Sequence, residues 1–214
     1  LTALPLFVWM GEILFRTKLS ENLFKGLSPW LSKLPGGLIH VNIVGCALFA
    51  AISGSSAATV ATVGKMSIPE LRKRKYPEKL LLGSLAGSGT LGLLIPPSII
   101  LIIYGVTIED SIAKLFMAGI IPGIMLAILF MTYVVIWSIL NKKLMPRTMQ
   151  NFSLSQKIKA SKQLLPVILL IISVIGSIYT GIATATEAAS LGVVGALILS
   201  WFQKSLNKET FKLS

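Results

Sequence analysis

The sequence I-S-G-S-S-A at residues 52–57 lies at the centre of an uncharged run. From residue 38 to residue 64, 27 residues contain no Asp, Glu, Lys or Arg. The chain of 214 residues is 54% hydrophobic and 13% charged, whereas about 25% of the residues of a soluble domain are charged. Uncharged runs of about 18 residues or more indicate membrane helices. The sequence therefore predicts an all-α integral membrane protein, and the serines and glycine at the centre of this run need an explanation.

The net charge of +12 comes from lysines and arginines that cluster between the apolar segments. Such clusters are typical of short loops that stay in the cytoplasm. We therefore expect a multi-pass protein in a phospholipid bilayer and no nucleic-acid partner. Cys46 is the single cysteine, so it forms no disulfide within this chain. The chain begins inside an apolar run and without Met, which we interpret as part of a longer protein.

Loop charges predict which side of the membrane each connection occupies. The connections 65–79 and 141–163 are basic and are predicted to be cytoplasmic, whereas 106–114 and 179–185 are not basic and are predicted to be outside. The four apolar segments between residues 80 and 202 then alternate without conflict.

The uncharged run 38–64 does not fit this alternation as a straight span. The connection 16–37 before it is also basic, which places both ends of the run on the cytoplasmic side. A re-entrant hairpin satisfies the pattern, with arms of about 13 residues, or about 20 Å, that pass the bilayer midplane. Its turn is predicted close to Ser53–Ser56. A plain tilted helix is the alternative.

The segment 80–105 is predicted to be a broken helix. It contains G-S-L-A-G-S-G-T-L-G-L-L-I-P-P-S at 83–98, with four glycines and the Pro96-Pro97 pair. Glycine costs about 1 kcal/mol and proline about 3 kcal/mol relative to alanine inside a helix. We expect the break near 87–90 or 94–98.

These two irregular segments have the chemistry of an ion site. Broken helices free backbone carbonyls that coordinate Na⁺ in secondary transporters, while helix N-termini face anionic substrate groups. Hydroxyl groups supply further oxygen ligands without fixed charge; the candidates are Ser53, Ser55, Ser56, Ser88 and Thr90. The alternative is close helix packing, for which small residues are also used in membranes.

The chain resembles the large membrane subunit of tripartite ATP-independent periplasmic (TRAP) transporters. The resemblance rests on S-G-S-S-A-A-T-V-A-T-V-G at 53–64, S-G-T-L-G-L-L-I-P-P-S-I at 88–99, I-Y-G at 103–105 and G-I-A-T-A-T-E-A-A at 181–189. The family's large subunit is roughly twice this length. This chain looks like part of the first inverted repeat, the connecting region and the opening of the second repeat.

The resemblance implies an elevator-type secondary transporter of the bacterial inner membrane, not an enzyme. It implies Na⁺-coupled uptake of an organic acid, such as a C4-dicarboxylate or a sialic acid, with Na⁺ as coupling ion and no cofactor. It also implies two partners, a small membrane subunit, separate or fused, and a periplasmic substrate-binding protein. The implied Na⁺ site comprises Ser53, Gly54, Ser55, Ser56, Gly87, Ser88, Gly89 and Thr90. Candidates for substrate contact are Ser55, Ser56, Pro96 and Pro97.

With this resemblance, the chain divides into seven predicted segments. These are a scaffold helix end with an amphipathic interfacial arm (1–37), the re-entrant hairpin (38–64), a basic cytoplasmic loop (65–79), the broken transmembrane helix (80–105), an outer loop with a transmembrane helix (106–140), a cytoplasmic linker (141–163) and the scaffold helices that start the second repeat (164–214). The hairpin and the broken helix belong to the mobile transport domain of such a transporter.

The third motif departs from the family pattern T-P-T-E-A-A by having Ala185 in place of proline. Thr184 and Glu187 have the spacing of a capping box. We expect them to cap a helix, with a functional contact of Glu187 as the alternative.

Three rival functions remain at this stage. The nearest is a Na⁺/carboxylate symporter of another elevator family, which works without a binding protein. A remote alternative is an intramembrane serine protease, in which Ser88 is the nucleophile and His40 the base. A scaffold subunit that transports nothing leaves both Ser/Gly motifs unexplained.

Overall fold

The computed structural model describes residues 2–15, 17, 19–146 and 152–202, and these residues form α-helices and 3-10 helices without a strand. The all-α prediction is therefore confirmed for the described residues, and positions 203–214 of the predicted scaffold segment 164–214 lie outside them. The α-helices are α1 (Ala3–Phe15), α2 (Leu19–Leu31), α3 (Ile39–Ser53), α4 (Ser56–Lys73), α5 (Glu78–Gly89), α6 (Ile99–Thr107), α7 (Ile112–Leu140), α8 (Leu154–Ser161), α9 (Leu165–Tyr179) and α10 (Ala185–Phe202). The 3-10 helices are Thr90–Leu93 and Lys142–Leu144.

Helices α3 and α4 pack against each other as a helical hairpin, and the predicted serine-rich turn joins them. Gly54 ends α3 in the left-handed conformation, with φ 60°, and its N–H donates to Ala50 O at 3.0 Å. Ser55 is extended and accepts a bond from Ala58 N through its side chain, which caps α4. The residues S-G-S-S at 53–56 thus end one helix, form a turn and begin the next helix.

The second arm of the hairpin is longer than predicted, because α4 continues to Lys73 instead of ending at 64. Most of the predicted basic loop 65–79 is therefore helical, and the chain turns only at 74–77. Arg72 forms an ion pair with Glu78 across this turn, with a distance of 3.0 Å from Nε to Oε1. The hydrogen bond from Arg72 lowers the pKa of Glu78.

The predicted break in 80–105 is present. Helix α5 ends at Gly89, a 3-10 turn follows, and irregular backbone leads to the start of α6 at Ile99. The peptide between Pro96 and Pro97 is cis. Ser98 donates through its hydroxyl to Leu93 O at 2.8 Å, which satisfies a carbonyl that the broken helix leaves free.

The core of the described chain surrounds the hairpin. Helix α1 packs along α10 and touches α3, and Phe7 of α1 meets Phe116 of α7 edge to face at 6.4 Å between ring centroids. Phe7, Phe49 and Phe116 are fully buried. The first arm of the hairpin is thereby held inside the protein, with twelve buried positions along α3.

Helix lengths limit what can cross a bilayer. Among the described residues, α7 alone is long and apolar enough to span a membrane as a single helix. Helices α8 and α9 pass the same test only as a pair, which is bent by 50°. Helix α9 ends at Tyr179 because the chain turns through Gly181, at φ 71°, before α10 begins.

The predicted amphipathic arm forms α2, and its apolar face is buried through Leu23, Phe24 and Leu27. Its far end packs on α8 of the linker. Trp30 donates through Nε1 to Ser161 Oγ at 2.9 Å, and Lys157 Nζ lies 5.1 Å from the centre of the Trp30 ring. The arm and the linker therefore contact each other.

Candidate functional site

The tip of the α3–α4 hairpin brings three oxygen atoms together. Thr59 Oγ1 lies 2.7 Å from Ser55 O, Ser53 Oγ lies 3.0 Å from Thr59 Oγ1, and Ser53 Oγ lies 3.3 Å from Ser55 O. Ser53 is 2% exposed and Thr59 is fully buried. The tip is therefore a small buried cluster of two hydroxyls and a carbonyl, without a formal charge among these groups.

Ser56 adds a fourth oxygen beside this cluster. Its Oγ is buried and has no hydrogen-bond partner among the described residues. Ser56 is the first residue of α4, where the backbone N–H groups carry the positive end of the helix dipole. This arrangement suits an anion at Ser56 as well as it suits a cation at the carbonyl of Ser55.

The hairpin tip and the break in α5–α6 meet through main-chain atoms. Ile99 N donates to Gly54 O at 3.2 Å, and a Cβ on Gly54 would lie only 2.6 Å from Pro97 O. On the other side, a Cβ on Gly92 would lie 2.8 Å from Ser56 N. The two irregular segments that the sequence singled out are thus one structural unit, the tip–break contact (Gly54 with Pro97 and Ile99, Ser56 with Gly92).

The other predicted ion ligands point elsewhere. Ser88 Oγ donates to Ser84 O at 2.6 Å and lies 3.5 Å from Asn42 O. Its hydroxyl is therefore directed at carbonyls of α5 and α3. Thr90 is exposed, and its hydroxyl donates to Gly87 O at 2.7 Å. Gly89 does approach the tip helix, because its Cβ would overlap Val60. Gly87 faces Phe130 of α7. Four of the eight predicted positions, Ser53–Ser56, form the tip itself.

Several residues at the site were missed by the sequence reasoning. Thr59 follows Ser55 by four residues, a spacing that places both on one face of α4, so the signal was present. Gly11 of α1 packs on the tip, since its Cβ would lie 2.9 Å from Ser53 Cα, and no local pattern reveals that contact.

The residues proposed for a serine protease are not arranged as a nucleophile and its base. His40 donates from Nε2 to Pro35 O at 2.7 Å, because a carbonyl can only accept. The Ser88 hydroxyl is bonded to backbone carbonyls of its own helix. His40 and Ser88 share no hydrogen bond in the part of the chain that the structure describes, and the geometry gives this rival no support.

Thr184 and Glu187 are bonded reciprocally at the start of α10. Thr184 N donates to Glu187 Oε2 at 2.8 Å, and Glu187 N donates to Thr184 Oγ1 at 3.3 Å. Thr184 Oγ1 also donates to Glu187 Oε2 at 2.9 Å. Both ends of the capping box are thus satisfied within one turn, and Ala185 takes the first helical position, where the family's proline would stand.

Replacement of Thr184 by Ala is expected to lower the stability of the protein by about 1 kcal/mol, because α10 loses its N-cap. The measurement is the apparent melting temperature of the full-length protein in detergent. Thr186→Ala, two residues on and outside the cap, is the matched control. Equal melting of the two variants would contradict the cap.

Known proteins match this chain over nearly its whole length. Residues 1–213 match the sequence profile of the family described as "Tripartite ATP-independent periplasmic transporter, DctM component". The C4-dicarboxylate TRAP transporter large permease protein DctM of Pseudomonas aeruginosa is 36% identical over 202 residues, which cover 94% of this chain and 47% of that protein.

Other relatives are named for different substrates. The ectoine/5-hydroxyectoine TRAP transporter large permease protein UehC of Ruegeria pomeroyi is 34% identical, over 93% of this chain and 46% of that protein. The sialic acid TRAP transporter large permease protein SiaM of Vibrio cholerae is 34% identical, with the same two coverages.

The match to the family extends over nearly the whole chain. The motifs on which the resemblance was based form the tip, the break and the cap. The chain belongs to the DctM family of large TRAP transporter subunits, which confirms the resemblance read from the sequence. It spans about half the length of the curated relatives it matches.

Proposed function

We propose that this chain forms the ion-binding half of a Na⁺-coupled uptake system for an organic anion. The tip–break contact is the observation that carries the proposal, because it places a buried cluster of oxygens where two helices end. Helix ends buried in this way normally serve a ligand or are capped. Na⁺ is a hard cation and takes oxygen ligands, as other hard cations do.

The proposed Na⁺ ligands are the oxygens that converge at the tip. Ser53 Oγ, Thr59 Oγ1 and Ser55 O already lie within 3.3 Å of one another. In the absence of an ion they satisfy one another by hydrogen bonds. When Na⁺ binds, the hydroxyl hydrogens turn outward and the same lone pairs face the ion. Ser88 takes a supporting role, since its hydroxyl holds the Ser84 carbonyl of α5, whereas the exposed Thr90 lies outside the proposed site.

The proposed substrate contact is the start of α4. Ser56 offers a buried hydroxyl, which has no partner in the described ranges, next to the N-terminal N–H groups of an 18-residue helix. A carboxylate is attracted there by the helix dipole and by hydrogen-bond donors. Pro96 and Pro97 are buried in the break that faces this end. An organic acid is therefore the expected class of substrate.

The whole transporter is proposed to work in the bacterial inner membrane with a small membrane subunit, separate or fused, and a periplasmic substrate-binding protein. An elevator motion would carry the hairpin and the broken helix together across a fixed scaffold. A Na⁺/carboxylate symporter without a binding protein is the rival, and it predicts uptake that is independent of any added binding protein.

The first test is a thermal melt of the full-length protein in detergent, in NaCl and in KCl at equal ionic strength. An ion that binds only the folded state stabilises it by about 2.7 kcal/mol when its concentration is 100 times the dissociation constant. We expect a higher melting temperature in NaCl. Thr59→Val is expected to abolish that difference, because it removes one ligand and leaves a branched side chain of the same size.

Thr90→Val is the matched control for this test. Its hydroxyl is exposed and bonded to Gly87 O, so we expect the difference between NaCl and KCl to persist. Coincident melts of the wild-type protein in the two salts would overturn Na⁺ coupling. Loss of the difference in Thr90→Val but not in Thr59→Val would move the ion site from the tip to α5.

A further inference from the structure

A cavity lies away from the tip, at the opposite end of α3. Its volume is about 470 Å³, and it is an open cavity bordered by the α2–α3 loop, the α4–α5 turn and the C-terminal end of α7. Polar groups and apolar groups both line it. Its wall includes Ser32, Lys33, Leu34, Tyr76, Ser138 and Lys142.

The polar groups of this cavity are hydrogen-bond donors. Lys33 and Lys142 supply two positive charges, and the lining contains neither Asp nor Glu within the part of the chain that the structure describes. Ser138 is 4% exposed, and its Oγ has no hydrogen-bond partner among the described residues. The Oγ of Ser32 is also buried and also has no hydrogen-bond partner among the described residues. The cavity therefore presents cations and unused hydroxyls to its contents.

Tyr76 adds a further donor. Its hydroxyl oxygen accepts a hydrogen bond from Leu38 N at 3.1 Å, so the hydroxyl hydrogen remains available to another group. Burial raises the pKa of Tyr76 above its ordinary value. A ligand that fits these groups is an anion with several acceptor oxygens.

The position of the cavity indicates where that anion comes from. Helix α7 has 29 residues and is about 43 Å long, whereas the hydrocarbon core of a bilayer is about 30 Å thick. The end of α7 that carries Ser138 and Ile139 is followed by Lys142 and Lys143, which favours its position in the headgroup layer. Leu34, Ile139 and Met145 also line the cavity, and they offer an apolar surface to the part of a lipid below its headgroup.

We propose that this cavity binds the phosphate headgroup of an anionic phospholipid, with Lys33 and Lys142 contacting the phosphate and Ser138 and Tyr76 donating to its oxygens. Basic pockets between helices on the cytoplasmic side are suited to such headgroups. A free phosphate ion would satisfy the same donors but would leave the apolar wall uncovered. The site is independent of Na⁺ coupling, so it stands or fails separately from the proposed function.

The test is native mass spectrometry of the full-length protein in detergent, titrated with phosphatidylglycerol or with phosphatidylcholine. We expect phosphatidylglycerol to be retained in preference to phosphatidylcholine. Lys33→Gln combined with Lys142→Gln is expected to weaken phosphatidylglycerol binding about tenfold or more. Lys79→Gln combined with Lys159→Gln changes the net charge equally at lysines outside the cavity and should leave that binding unchanged.

A second variant separates the cavity from surface charge. Ser138→Leu fills the cavity and keeps both lysines, so it is also expected to weaken phosphatidylglycerol binding. Equal loss in the two lysine double variants would show general surface attraction and overturn the site. Displacement of the bound lipid by millimolar inorganic phosphate would also overturn the proposal, because the cavity would then hold a free anion.

Discussion

Replacement of Gly54 by Ala should lower the stability of the protein by about 2–5 kcal/mol and abolish the melting difference between NaCl and KCl. Two costs add at this position. A non-glycine residue in the left-handed conformation costs about 1–2 kcal/mol, and forcing an extra methyl group into packed surroundings costs about 1–3 kcal/mol. The new Cβ would lie 2.6 Å from Pro97 O, a backbone atom that cannot rotate away.

Gly181→Ala separates these two costs. Gly181 also has a positive φ, 71°, but no atom lies within 4 Å of a Cβ placed there. This control therefore carries the conformational cost alone. In KCl its melting temperature should be higher than that of Gly54→Ala, and its melting difference between NaCl and KCl should be intact. If both variants lose the same stability and keep the response to NaCl, the contact between Gly54 and Pro97 contributes nothing.

The second large effect is expected at the other side of the tip–break contact. Gly92→Ala should cost about 1–3 kcal/mol, because its Cβ would lie 2.8 Å from Ser56 N and 3.0 Å from Ser55 C. The tip can accommodate the methyl group only if α4 moves away from the break. We therefore expect the response to NaCl to weaken in this variant, although no hydroxyl has been removed.

Gly87→Ala is the matched control in the same segment. A Cβ on Gly87 would lie 3.5 Å from the Phe130 ring, which is ordinary van der Waals contact. Alanine also favours a helix over glycine by about 1 kcal/mol. The Gly87→Ala protein should therefore melt at or above the wild type in both salts. A stable Gly92→Ala protein with the full response to NaCl would contradict the proposed link between backbone contact and ion binding.

The sequence was most informative where a local rule applies. The turn at Ser53–Ser56 and the break before Ile99 both follow from residues that end or begin helices, and both are where the pattern predicted them. The length of α4 was underestimated because loop charges report where a chain leaves the membrane, whereas caps decide where a helix ends. Lys65 and Glu70 are charged yet lie within the helix.

The sequence could not predict which hydroxyls lie at the tip and which donate to carbonyls of their own helix. Serine and threonine in a helix donate readily to a carbonyl three or four residues back, as Ser88 and Thr90 do here. The spacing of letters does not show whether a hydroxyl turns inward to its own helix or outward to a ligand. The packing of Gly11 on Ser53 joins positions 42 residues apart, and only the tertiary fold reveals it.

Because the tip–break contact is made by backbone atoms, it does not depend on which side chains occupy Ser56 or Ile99. Those side chains can therefore vary while the two irregular segments stay joined. The constraint falls instead on two positions that must lack a side chain, Gly54 and Gly92. The ion site proposed above makes no demand on the side chains of Ser56 and Ile99, and relatives in the family are named for substrates as different as ectoine and sialic acid.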